Sequence, residues 1–136
     1  MKYTDEQLKA LAEWLGWSVK LEGLFRSTDD YFLHSGIHWF LPAFIRPNLL
    51  EGDAISGYEF NIWLLSPEGQ SAVMDRLIKA EIQPGFSVGD LPRTNIPGVR
   101  VVLSRWNATA VCGEYCFSWQ EALIAAVLAM LGKEVK

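Results

Sequence analysis

His34 and His38 stand four residues apart, and Cys112 and Cys116 repeat that spacing. Together they offer two imidazoles and two thiols, the ligand types of a tetrahedral zinc site. Zinc motifs usually hold two cysteines about a turn glycine, whereas Cys112 and Cys116 fall on a predicted strand and its exit. The same residues admit a nucleophilic reading, a Cys–His pair oriented by Asp29 or Asp30. No helix start or basic neighbour stands beside Cys112 to activate it, while Cys116 lies just before the last predicted helix. Free cysteine is by habit a small buried apolar residue. A small metal-binding protein or hydrolase using these four residues is therefore the alternative reading, and no cofactor is expected.

The other chemistry-bearing residues are weaker. Asp29-Asp30 and Glu51-Gly52-Asp53 lack the spacing of a calcium loop and read as solvated loop charges. Gly85, Gly89 and Gly98 are isolated, with no lysine followed by Ser or Thr to complete a phosphate cradle. Arg100, Arg105 and Trp106 offer charge and stacking for single-stranded nucleic acid. Strand alternation, however, sends Arg100 and Arg105 to opposite faces, and the basic residues are scattered. With 12 basic against 16 acidic residues and a net charge of −4, nucleic acid is not an expected partner.

The elements that must position these residues start from a chain of 136 residues, half of them apolar, with six Trp, four Tyr and seven Phe. That is enough for one core, and a single domain over 1–136 is expected. The polar start of the chain is unlike a signal peptide. The longest uncharged apolar run, Ala122 to Leu131, is ten residues, about half of the roughly 20 that span a bilayer. A cytoplasmic location with no membrane partner is expected, and two closely spaced cysteines fit a reducing compartment. Asn107-Ala108-Thr109 matches the glycosylation pattern but is read as idle for the same reason.

Three helices carry nameable starts. Thr4 and Gln7 form a capping box before Leu8, Leu11, Ala12 and Leu15, predicting a helix over about 5–15 that ends at Gly16. Ser66-Pro67 caps a second helix over about 67–81, with Val73, Met74, Leu77 and Ile78 as its buried stripe and Pro84-Gly85 closing the segment. Ser56 and Glu59 suggest a short helix over 57–65 leading into it. Ser118 and Glu121 cap the last, over 119–131. Its large residues Leu123, Ile124, Val127, Leu128, Met130 and Leu131 are expected on the core side, and Ala122, Ala125, Ala126 and Ala129 on a side facing water or a second copy.

Strands are predicted over 17–21, within 37–41, and as a hairpin over 99–106 and 109–115. Because Val101 and Leu103 alternate with Val102 and Trp106, that sheet is expected to be covered on both faces. The fold class is thus α+β, a small antiparallel or mixed sheet with helices packed on it in an α/β/α sandwich-like arrangement, in the order α-β-(β)-α-β-β-α.

The irregular stretch from Gly23 to Ser56 holds an aromatic concentration. Tyr31, Phe32, Trp39, Phe40 and Phe44 are the candidate interaction surface, because aromatic side chains dominate the centres of binding interfaces. The competing reading is that they fill the core.

The succession Leu15-Gly16-Trp17-Ser18-Val19, Trp39-Phe40-Leu41-Pro42 and the alanine-rich Ala122 to Leu131 resembles the small phage proteins that share an alpha-beta-alpha sandwich domain. The resemblance implies that fold, a bacterial host cytoplasm, and no catalytic residues to carry over. With no catalytic constellation or cofactor motif and a surplus of aromatic residues in irregular chain, the expected function is that of an uncharacterised phage or prophage accessory protein, a non-catalytic interaction module acting through a protein partner or as a homo-oligomer.

Overall fold

A computed structural model of the chain describes residues 3–24, 40–45, 54–106 and 110–132. The chain divides into two units, Met1–Asn61 and Ile62–Lys136. The fold is α+β, and every strand pairing in it is antiparallel among the described residues.

In the first unit, α1 (Asp5–Trp14) begins with the capping box that Thr4 and Gln7 predict. Thr4 Oγ1 accepts from the Gln7 N–H at 3.2 Å, and Gln7 Oε1 accepts from the Thr4 N–H at 3.0 Å. Two donors that a first turn leaves open are thereby satisfied. Leu8, Leu11 and Ala12 are buried along one face, and Gly16 ends the helix at φ 86°, where a side chain is disfavoured. The chain then enters β1 (Ser18–Leu24), which pairs with β2 (Phe40–Ile45), which pairs in turn with β3 (Ala54–Ile55). The strand expected within 37–41 meets β2 only at Phe40 and Leu41; its earlier residues lie outside the described ones.

The short helix expected over 57–65 is present as α2 (Gly57–Leu65), with Ser56 Oγ accepting from the Glu59 N–H at 3.3 Å. Within the first unit, the Phe60 ring stacks on Phe44 with centroids 4.7 Å apart and planes 3° apart. Trp17 tilts against the same ring at 4.8 Å. All three side chains are buried.

In the second unit, Ser66 caps α3 (Pro67–Lys79), its Oγ accepting from the Gly69 N–H at 3.2 Å. Proline at the first helical position forfeits no hydrogen bond. Val73 and Leu77 are buried, but Met74 is only half-buried and Ile78 is exposed, so the buried stripe is narrower than the four residues expected. Next comes β4 (Ile82–Asp90), a strand where the sequence pattern suggested only a helix stop. It pairs with β5 (Pro97–Arg105) along nine residue pairs, from Ile82↔Arg105 to Asp90↔Pro97. The expected hairpin partner of β5 is reduced to β6 (Val111–Cys112), extended by a bridge between Val99 and Cys116. The sheet order is β4-β5-β6.

The last helix, α4 (Trp119–Met130), packs on β5 and β6. Its cap is as predicted, Ser118 Oγ accepting from the Glu121 N–H at 3.2 Å. The expected division into a large core side and an open alanine side does not hold. Ala122 and Ala126 are fully buried together with Ile124 and Val127. The reason is Gly113: a Cβ there would lie 2.7 Å from the Ala126 backbone nitrogen, so helix and sheet approach closely where both lack bulk. No helix among the described residues is long and apolar enough to cross a membrane.

Candidate interaction site

The register of β4 on β5 sorts its residues into two faces and two backbone directions. In a regular strand successive side chains alternate faces, and residues directly opposite share one. Ile82, Pro84, Phe86 and Val88 therefore share a face with Arg105, Leu103, Val101 and Val99. Leu103 and Val101 are buried there, and Phe86 meets Trp119 of α4 edge-to-face at 5.0 Å, which places α4 on this face. The helix covers β5 and leaves the β4 flank open: Phe86 is 58% exposed, Val88 72% and Trp119 42%.

Backbone directions follow from β5. Val99 exchanges both of its backbone hydrogen bonds with Cys116, and Val101 accepts from the Gly113 N–H, so these residues face away from β4. The intervening residues Gly98, Arg100, Val102 and Ser104 face β4 and bond Gly89, Ser87, Gly85 and Gln83. The N–H and C=O groups of Phe86 and Val88 thus point out along an edge of the sheet that is free among the described residues. Pro84 occupies the neighbouring outward position, where it has no N–H to offer; such positions are where a sheet tolerates proline.

The second face of this sheet is polar and low. Gln83, Gly85, Ser104 and Cys112 are exposed, and Ser87, Arg100 and Val102 are half-buried. The expected two-sided cover is therefore incomplete, because the residues opposite α4 are mostly glycine and polar. Arg100 Nε donates to Ser87 Oγ at 3.0 Å, which draws the guanidinium from β5 over β4. The Tyr115 ring lies beneath it, 4.8 Å from its centroid to Arg100 Cζ, a cation–π arrangement. Tyr115 reaches this place across Gly89, where a Cβ would sit 2.5 Å from the ring.

Of the aromatic surface expected from sequence, Tyr31, Phe32 and Trp39 lie outside the described residues. Phe40 is the first residue of β2, opposite Leu24. Phe44 is fully buried in the stack with Phe60, so its ring belongs to the core rather than to a contact surface.

His34 and His38 also lie outside the described residues, as do Asp29, Asp30, Glu51 and Asp53. Both cysteines are described: Cys112 is exposed and Cys116 half-buried. Cys112 pairs with Val102 and Cys116 with Val99, positions of opposite parity on β5, so the two thiols project to opposite faces of the sheet. No group of three or more metal-ligating side chains gathers among the described residues. Arg100 and Arg105 project to opposite faces, as strand alternation predicts.

Phe86, Val88 and Trp119 carry the exposed edge, and the sequence pattern passed over them. The available signal was the alternation Ile82, Pro84, Phe86, Val88 against Gln83, Gly85, Ser87, Gly89, interrupted in appearance by Pro84-Gly85. Comparison of the chain with protein-family models, with curated proteins and with solved structures gave no match.

Proposed function

We propose that the protein is a non-catalytic protein-interaction module, a phage or prophage accessory protein acting in the cytoplasm of a bacterial host, and that the free edge of β4 receives its partner. The observation that carries the interaction reading is the edge itself. Sheet edges are usually blunted by charge, by shortness or by cover. Here the seven residues from Ile82 to Val88 carry no charged side chain, and among the described residues no helix covers the Phe86–Val88 flank. Among the described residues of the edge, Pro84 and the terminal Asp90 are its guards. The phage assignment rests on the resemblance through Leu15-Gly16-Trp17, Trp39 to Pro42 and Ala122 to Leu131.

The test compares capture of host proteins by the wild-type chain and by Val88→Pro, which deletes an outward N–H without touching the β4–β5 ladder. A partner held by the former and lost by the latter supports the reading; equal capture overturns the edge. Elemental analysis of the purified protein addresses the alternative. Zinc or iron at stoichiometric level would favour the metal-binding or hydrolytic use of His34, His38 and the cysteines.

A further inference from the structure

We infer that the partner of the β4 edge is an extended peptide segment in which apolar and acidic residues alternate, added as an antiparallel strand with one carboxylate bound by Arg100. The inference rests on the interaction reading above and names the chemistry of what binds.

Strand addition is set by the edge. The outward groups of Phe86 and Val88, two N–H and two C=O, are spaced for two hydrogen-bonded rings with an antiparallel partner. Pro84 contributes its C=O alone, so the ladder weakens toward that end and the partner's register is biased to Phe86–Val88. Main-chain bonds of this kind give affinity without sequence, and side chains supply the choice.

Alternation follows from the two faces. Partner residues opposite Phe86 and Val88 project to the apolar face, where both side chains and Trp119 are exposed, and favour apolar groups. The partner residue between them lies opposite Ser87 and projects to the polar face. A paired residue on a neighbouring strand has its Cβ roughly 5 Å away, and the Arg100 guanidinium already stands beside Ser87 Oγ.

Charge selects the middle residue. Among the described residues Arg100 forms no ion pair; its Nε donates to Ser87 Oγ, its guanidinium lies over Tyr115, and no hydrogen bond to a described residue engages its terminal nitrogens. Guanidinium is a planar donor fork matched to a carboxylate, and prior bracing reduces the conformational freedom lost when it binds one. The net charge of −4 opposes an acidic segment only weakly at this distance, because exposed charges beyond about 8 Å are screened at physiological ionic strength. A second copy of the chain is a poorer occupant: antiparallel β4 strands would set Ser87 or a glycine, not a carboxylate, before Arg100.

The experiment uses fluorescein-labelled seven-residue peptides and fluorescence anisotropy with the full chain. The probes are alternating Val and Glu, the same with Gln or Lys for Glu, and a block-ordered peptide of the Val/Glu composition. The alternating Val/Glu peptide is expected to bind at least about tenfold more tightly than the Gln form, and the Lys and block forms more weakly still. Arg100→Gln is expected to erase the Glu/Gln difference. N-methylation of the strand-facing peptide amides should abolish binding whether or not Val88→Pro folds. Equal binding of Glu and Gln forms overturns the acidic partner while leaving the edge. Binding that survives N-methylation, or no binding by any of these peptides, overturns strand addition itself. A wild-type dimer by light scattering that Val88→Pro makes monomeric assigns the edge to a second copy and overturns the peptide.

Discussion

The Phe60 ring lies face to face with Phe44, centroids 4.7 Å apart and planes 3° apart. Trp17 leans on the same ring from β1's entrance, so Phe60 joins α2 to the sheet of the first unit. Phe60→Ala removes both ring contacts and leaves a cavity, and is expected to cost about 3–5 kcal/mol. Urea unfolding followed by tryptophan fluorescence measures it; a cost under about 1 kcal/mol would remove Phe60 from the core.

Gly113 and Gly85 should respond oppositely to alanine. At Gly113 the new Cβ meets the backbone of Ala126 at 2.7 Å, and α4 must move as a body; overpacking of this kind costs about 1–3 kcal/mol. At Gly85 the nearest atom is the Val102 carbonyl oxygen at 3.7 Å. Gly85→Ala is expected to be neutral or to stabilise by up to about 1 kcal/mol through the unfolded chain. Thermal melts of the two variants check the pair.

Gly132 follows α4 at φ 71° with open space around it. Gly132→Ala is therefore strained by backbone alone, with an expected loss of about 1 kcal/mol, and Gly132→Asn should recover much of it. Equal melting temperatures for all three residues would refute the cap.

Cys112 is exposed, whereas Cys116 is half-buried with its thiol 3.5 Å from the Glu114 carbonyl oxygen. An aromatic disulfide reagent should label Cys112 first, read by mass spectrometry of the digested protein. Cys112→Ser should alter stability by no more than about 0.5 kcal/mol. Since the two thiols face opposite sides of the sheet, mild oxidation should leave them unbridged in the folded chain.

What was legible in the sequence was local. Thr4 with Gln7, Ser66-Pro67 and Ser118 each act within one turn, and the helices begin where those residues stand. Gly57–Leu65 was readable for the same reason. β4 was hidden because proline and glycine lower strand propensity, yet Pro84 sits where its missing N–H faces outward and costs no ladder bond. The side of α4 that meets the sheet was also beyond a helical wheel, since Gly113 decides it from another element. Phe44 illustrates the limit for the site. Its place among aromatic neighbours suggested a surface, and its burial depends on Phe60 far along the chain. Arg100 was visible as a charge, but its bracing by Ser87 and Tyr115 needs the β4 register and the turn after β6.

The cover of the second sheet comes last in the order of synthesis. β4 and β5 are complete by Arg105, while α4 occupies Trp119–Met130. At roughly 5–20 residues per second the interval is on the order of seconds. Val101 and Leu103 are therefore made before the helix that packs over them, and the burial of this face waits on the completion of α4.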